Sequence, residues 1–464
     1  MSLDLQSRAH APVIVALKAR FGDQISTGTA QLEQHSRDDA HHPASLPDAV
    51  AFPESTLDVS EIVRICADHR CPIVPFAVGS SLEAQVIPIR GGVSLDMMRM
   101  DKVLAVHEAD LDAVVQPGLT REKLNAALRA TGLMFPVDPG ANASMGGMAA
   151  TRASGTNSVR YGTMKENVLA LEVVLADGRV IRTGGRARKS STGYDLTKLF
   201  IGSEGTLGII TELTVRLFGQ PEAIAAATCA YERIEGAVDT VIAAIQLGMP
   251  LARIELLDQL QVQAVNAFAD LGLPQSPHLL LEFHGTDAGV AETSERFREI
   301  SEENGGGAFQ WATKPEDRAR LWRARHNAYY ANKALRPGTR GYTTDACVPI
   351  SQLAEIIRET KVDIERSGMV APLVGHVGDG NFHLSIMIAD GDEAELQQAS
   401  ALADRIAERA LRLGGTVSGE HGVGLGKKRF LAQEHGDAVE VMKEIKRSFD
   451  PQNILNPGKM FDLN

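Results

Sequence analysis

Hydrophobic and polar positions alternate along this chain in short runs, and the pattern changes character near residue 220. Residues 1–45 read as one helix, around Ala11–Phe21, followed by a polar linker with a His-His pair and a proline. Residues 46–219 show short apolar strands between Gly-rich loops, with Ala49–Phe52 and Pro72–Phe76 strand-like. Thr56–His69 has helical periodicity, and Ser55 stands where an N-cap is needed. A second short helix is predicted over Thr120–Thr131, closed by Gly132. Leu171–Leu175 and Arg179–Arg182 flank Asp177-Gly178, a hairpin signal, because Asp-Gly supplies the positive φ angles of a tight turn. Thr206–Leu217 closes this part as a strand.

Beyond 220, helical stretches such as Ile234–Leu247 and Gln259–Asp270 alternate with strands such as Leu279–Phe283, the pattern of a separate α+β domain. A strand is predicted at Leu384–Ile388 and a helix over Ala401–Leu413, ending at Gly414-Gly415. A Gly-rich loop, a helix of mixed charge and a tail complete the chain. The expected segments are therefore 1–45, 46–219, 220–424 and 425–464.

Composition narrows the class. A chain of 464 residues exceeds one ordinary domain, and 44% apolar with 23% charged residues is a globular mix. The formal charge of -12 argues against a nucleic-acid partner, which needs clustered Lys and Arg. Cys66, Cys71, Cys229 and Cys347 form no CxxC pair, which fits reduced thiols. No apolar run approaches the roughly eighteen residues of a transmembrane helix. The opening MSLDLQSRAHAPVIV lacks a basic stretch, apolar core and cleavage site. The expected location is cytoplasmic, with at most peripheral docking at the inner membrane.

Three loops carry candidate chemistry. The first holds Ala77, Val78, Gly79, Ser80, Ser81 and Leu82 after a strand, where small residues let backbone N–H groups approach an anion. Taken alone the signal is weak, and an ordinary turn is the commoner reading of such a loop. The second, PVDPGANASMGGMAATRASGTNSVRYGT at 136–163, contains Pro139, Gly140, Ala141, Ser144, Gly147, Met148, Gly155, Tyr161 and Gly162. Its Ser-Met-Gly-Gly could open a helix whose amides face a phosphate. The third runs Gly202-Ser203-Glu204-Gly205-Thr206-Leu207-Gly208-Ile209-Ile210. Neither a Walker lysine nor a GxGxxG helix opening is present, which disfavours a Rossmann site. Together and in this order, the loops resemble the FAD-binding domain of the vanillyl-alcohol-oxidase family, the PCMH-type flavin fold. The resemblance implies FAD cradled by these residues. Ala77 and Ala84 stand where glycine is frequent in that family, and the first loop lacks the histidine that some members join to flavin. Non-covalent FAD is expected.

Two further elements are GHVGDGNFH at 375–383 and SGEHGVG at 418–424. Two histidines and a carboxylate are a sound Zn²⁺ or Mn²⁺ set, while hydrogen-bonded structural histidines explain the same letters. With the tail Phe449–Lys459, these motifs resemble the C-terminal half of FAD-linked D-2-hydroxy-acid dehydrogenases, closest to the cytochrome-linked D-lactate group. The resemblance implies metal ligation by His376, His383 and Glu420, with His421 as catalytic base and Asn456 near the flavin. It also implies a catalytic, carboxylate-gripping Arg325, and a substrate lined by His376, His383 and Asn381. Hydroxyglutarate enzymes of the family carry a lysine near the position of Thr343, so a small monocarboxylate is favoured. Glycolate and D-2-hydroxyglutarate remain alternative substrates, and a zinc-stabilised binding module without activity is the remote one. The expected fold is thus α+β: a PCMH-type FAD domain, an α+β cap and a flavin-contacting tail. Expected partners are a small 2-hydroxy acid, an electron acceptor such as cytochrome c or quinone, and a second copy of the chain as a homodimer. Glu255 and Asp258 read as capping residues at a strand-to-helix junction, and Lys427-Lys428-Arg429 as a solvated basic face.

Overall fold

The computed structural model describes residues 10–312 and 314–463. The first nine residues, on which part of the N-terminal reading rests, lie outside the described residues. The chain divides into two compact units. The first comprises residues up to Ser154, Thr163–Gln220 and Glu420 onward; the second comprises Gly155–Gly162 and Pro221–Gly419. Residues 155–162 thus group with the second unit, and 420–424 with the first.

The first unit contains two main sheets. Strands β1 (Ile25–Ser26), β2 (Ala49–Ala51), β3 (Ile73–Phe76) and β4 (Val93–Asp96) form a four-stranded sheet in the order β1-β2-β4-β3. β4 runs parallel to both β2 and β3 and is buried along its whole length, as a covered parallel strand should be. The helix Thr56–Asp68 makes the crossover from β2 to β3. It starts where the sequence predicts, because Ser55 Oγ accepts from the Asp58 amide at 3.2 Å while Asp58 Oδ2 accepts from the Ser55 amide at 3.1 Å. Strands β5 (Val103–His107), β6 (Asp112–Val115), β7 (Val168–Val174), β8 (Val180–Gly184) and β9 (Ile209–Arg216) form an antiparallel sheet in the order β5-β6-β9-β7-β8.

Local details depart from the sequence reading for identifiable reasons. In the β7–β8 hairpin only Gly178 takes a positive φ, 79°. The Gly178 amide donates to the Leu175 carbonyl and the Leu175 amide to the Arg179 carbonyl, so the loop is a type I turn followed by one left-handed residue. The helix expected to run to Thr131 stops at Ala127. There the Thr131 hydroxyl donates to the Leu128 carbonyl, and Asn125 bonds both backbone groups of Phe135, competing with further helix. β9 begins at Ile209 rather than Thr206, because the Thr206 amide and hydroxyl both donate to the Ser203 carbonyl in a turn.

The C-terminal helix Ala438–Phe449 leads into a tail that pairs with β3: the Ile73 amide donates to the Ile454 carbonyl, and the Asn456 amide to the Ile73 carbonyl. One buried ion pair sets this junction. Lys446 Nζ bonds Asp450 Oδ2 and the carbonyls of Thr206 and Leu455, while Asp450 accepts from the amides of Ile454 and Leu455.

The second unit is built on one antiparallel sheet. Its strands are β10 (Ala223–Ala230), β11 (Leu251–Leu257), β12 (His278–Gly285), β13 (Gln310–Ala312), β14 (Thr339–Thr343), β15 (Ala346–Cys347), β16 (Leu373–Gly375) and β17 (Asn381–Ala389). Their order is β13-β10-β12-β11-β16-β17-β14, with β15 also pairing β17. One core joins sheet residues such as Ile254, Leu281 and Ile386 to Val241, Phe297, Ile356 and Ile406 of four helices. A second core joins Leu257, Leu280 and Val374 to Val262, Leu321 and Trp322. The helix predicted from Ala401 begins at Glu393, capped by Asp392, because its first turns carry few apolar residues to betray it. All four cysteines are free, three of them buried. No helix among the described residues is long and apolar enough to cross a membrane.

Asp450→Ala leaves the Lys446 charge buried without its partner, a loss of about 3–5 kcal/mol. The expected outcome is a lowered first melting transition in calorimetry, with less of the protein retaining ligand-binding capacity.

Candidate active site

The first unit holds a pocket with about 660 Å³ of empty space, counting its open mouth, within the range of cofactor sites. Its walls are Pro75, Phe76, Val86, Met97, Ile209 and Ile210, with the backbone of Gly146, Gly147, Gly205 and Gly208. Of the residues predicted to bind cofactor, Ala77, Ser81, Gly147, Glu204, Gly208, Ile209, Ile210 and Asn456 line it. Ser144 supports it from behind, since its Oγ accepts from the Gly147 amide and caps the helix Met145–Thr151. A Cβ at Gly147 would meet only Ser144 Oγ, at 3.0 Å, so the glycine leaves its room to a ligand.

The other predicted residues lie outside this wall. Gly79, Ser80, Leu82, Pro139, Gly140 and Ala141 are absent from it, Val78 is exposed, and Met148 points into the core. Gly155, Tyr161 and Gly162 belong to the second unit, where the Tyr161 hydroxyl bonds His284 Nδ1 at 2.8 Å. Gln85, which no motif marked, lines the pocket and donates to the His421 carbonyl at 2.7 Å.

Glu204 organises this unit's polar end. It is buried with a positive φ of 52°, an unusual conformation for a side-chain-bearing residue. Its carboxylate accepts from the amides of Val423 at 2.6 Å and Gly424 at 2.9 Å. Burial pushes its pKa up, against those amides and the nearby Lys459. A side chain on Gly424 would come within 1.9 Å of the Glu83 carbonyl, so that loop position requires glycine. The same loop carries Glu420, whose Oε2 accepts from Ser154 Oγ at 2.6 Å, and His421, whose Nε2 lies 4.0 Å from Glu420 Oε1. Asn456 donates to the Gln85 and Glu204 carbonyls. Lys459 donates to the carbonyls of Gln85 and Ile87, and burial pushes its pKa down to about 7. Lys427 is buried beside Glu83, with Nζ–Oε1 at 3.1 Å, so 427–429 is not the continuous solvated face expected of a basic run.

The second unit holds the other predicted site residues. His376 and His383 stand almost perpendicular, ring centroids 5.4 Å apart, with a ring nitrogen of each within 4.8 Å of one of the other. His376 Nδ1 lies 2.7 Å from Glu255 Oε1, and His383 Nδ1 lies 3.0 Å from the Thr344 carbonyl. Both partners only accept, so each Nδ1 carries the proton and each Nε2 offers a lone pair, the form that ligates metals. Arg325, expected to grip a carboxylate, directs Nε and Nη2 to Glu255 Oε2 at 2.6 Å. Burial pushes the Glu255 carboxyl up, but Arg325 and His376 outweigh it and hold it below the usual range. Capping is therefore the wrong reading for Glu255. It is right for Asp258, whose Oδ1 accepts from the Gln261 amide at 2.8 Å. Asn381 is fixed by Nδ2 bonds to Asp345 Oδ1 and the Ala346 carbonyl, which leaves Oδ1 as its acceptor.

The fold is that of the PCMH-type FAD-binding proteins. The FAD binding domain family matches residues 47–184, and the C-terminal domain of FAD linked oxidases matches 220–460. The chain belongs to the FAD-linked oxidase family, among relatives of the D-lactate dehydrogenase group. It is 50% identical over 97% of its length, and 92% of the relative's, to a Danio rerio protein named "Probable D-lactate dehydrogenase, mitochondrial". It is 42% identical over 97% of its length, and 80% of the relative's, to "D-lactate dehydrogenase [cytochrome], mitochondrial" of Arabidopsis thaliana. Among solved structures, p-cresol methylhydroxylase with substrate bound superposes at a TM-score of 0.80, with 20% identity and 98% of each chain covered, a likeness of fold. The expected cytoplasmic location is overturned by the mitochondrial names of these relatives. Composition and hydropathy report solvent and membrane compatibility, not compartment, so they could not have set it.

Glu204→Ala would strand the buried Gly424 amide, costing about 1–3 kcal/mol, and release the half-buried Val423 amide beside it. The expected result is flavin retention weakened at least roughly tenfold, read from the fluorescence of released FAD after gel filtration; unchanged retention would remove Glu204 from the site.

Proposed function

We propose that this chain oxidises D-lactate to pyruvate with non-covalent FAD, assisted by a divalent metal and a histidine base. The observation that carries the reading is the buried set of one guanidinium and two metal-competent imidazoles in the second unit, a chemistry suited to a 2-hydroxy carboxylate. The names of the relatives at 50% and 42% identity support D-lactate as the acid. When bound, FAD supplies a hydride acceptor and the metal a Lewis acid that lowers the substrate hydroxyl pKa. His376 and His383 would hold Zn²⁺ or Mn²⁺ through Nε2, with Glu420 as third ligand.

Each side chain then has a defined task. Arg325 binds the substrate carboxylate with Nη1, the amino group its Glu255 pair does not use. Asn381, held by its Nδ2 bonds to Asp345 and the Ala346 carbonyl, lines the substrate beside the two histidines. His421 removes the hydroxyl proton as the Cα–H bond is broken. The cytochrome and mitochondrial designations of the relatives support a cytochrome as electron acceptor and a mitochondrial setting. Glycolate is the second substrate to test, because "Glycolate oxidase subunit GlcD" of Bacillus subtilis is 37% identical over 90% of this chain.

D-lactate added anaerobically should bleach the flavin absorbance and L-lactate should not; bleaching by glycolate alone would replace the substrate. His421→Ala should keep its flavin and lose about 10²–10⁴-fold in kcat, as loss of a general base does. His383→Ala should lose metal and turnover together, and wild-type metal content in elemental analysis would refute the ligand role.

A further inference from the structure

Glu255 lies on β11, between two residues far from it in sequence, and each of its oxygens serves a different one. Oε2 takes two nitrogens of Arg325, while Oε1 takes Nδ1–H of His376. The residue is about 1% exposed, so both bonds to its carboxylate are sheltered from bulk solvent. His383 contrasts with this arrangement: its Nδ1 bonds a backbone carbonyl and is not linked to the arginine in this way. A planar guanidinium held at two nitrogens has its third directed in space, and an imidazole held at Nδ1 has its Nε2 tautomer and direction set. Arg253 and Glu282, on the neighbouring register of the same sheet, form a separate pair at 3.6 Å and leave the Glu255 bridge undivided.

We propose that Glu255 is a positioning residue that couples the substrate-carboxylate clamp, Arg325, to one metal ligand, His376. This rests on the function proposed above. One carboxylate aims both groups, so a change at Glu255 disturbs anion binding and metal binding together, although Glu255 touches neither ligand.

The test uses the flavin-loaded enzyme, stripped with EDTA and titrated with Zn²⁺ by calorimetry, alongside steady-state kinetics with D-lactate. Glu255→Gln keeps the shape and removes the charge. Its Zn²⁺ affinity is expected to fall about 10–100-fold, the usual cost of losing such a support. Its KM for D-lactate should rise at least roughly tenfold, since the guanidinium loses its anchoring charge. Saturating Zn²⁺ should restore most of kcat and leave KM high, a split that general destabilisation does not produce. If the Gln variant fails to fold, Glu255→Asp, which keeps the charge but withdraws the oxygens by one methylene, should show the same split to a smaller degree. Wild-type Zn²⁺ affinity and KM in either folded variant overturn the inference while leaving the function intact. A wild-type enzyme that D-lactate reduces but that takes up no Zn²⁺ overturns the metal reading, and this inference with it.

Discussion

The first unit depends on one buried carboxylate. Glu204 receives two backbone amides from the loop that carries Glu420 and His421. Its own carbonyl receives the Asn456 amide group from the C-terminal tail. The loop at 423–424 and the tail at Asn456, each more than two hundred residues along the chain from Glu204, therefore meet at this one residue in the wall of the flavin pocket. A carboxyl in this position is costly to bury, and the amides are what make it tolerable. The left-handed backbone at Glu204 and Asn456 marks where the surroundings impose conformation on the chain.

The second unit repeats this economy with Glu255. A strand sends alternate side chains to one face, so β11 can present a carboxylate among groups that arrive from a helix and a neighbouring strand. Arg325 sits in the last turn of the helix Pro315–His326, and His376 just follows β16. Both take their direction from the one carboxylate they share. The rest of that unit, with a sheet covered by helices on both cores, holds those elements still.

Legibility followed the range of the interactions. The Ser55–Asp58 capping box, the Asp258 cap and the Asp-Gly hairpin are local, and the sequence announced each of them, though not the turn type. Helix ends were less legible where side chains such as Asn125 and Thr131 competed for the backbone. Among candidate pocket residues, those adjacent to glycines were read, but Gln85 was missed because it acquires its role only from the loop folded over it. Glu255 was misread because a carboxylate near a helix start looks like a cap until its partners are seen.

By itself the sequence carried the class of protein through resemblance: the order of three small-residue loops, the paired histidines and the GEHG element resemble FAD-linked 2-hydroxy-acid dehydrogenases, and the family matches agree. Only the tertiary structure decided which carboxylate meets which cation, which loop residues face the pocket and where 155–162 belongs. These are contacts between residues distant in the chain. A single sequence encodes no distances between such residues, and a buried charge is satisfied by whichever partner the fold brings within hydrogen-bond reach.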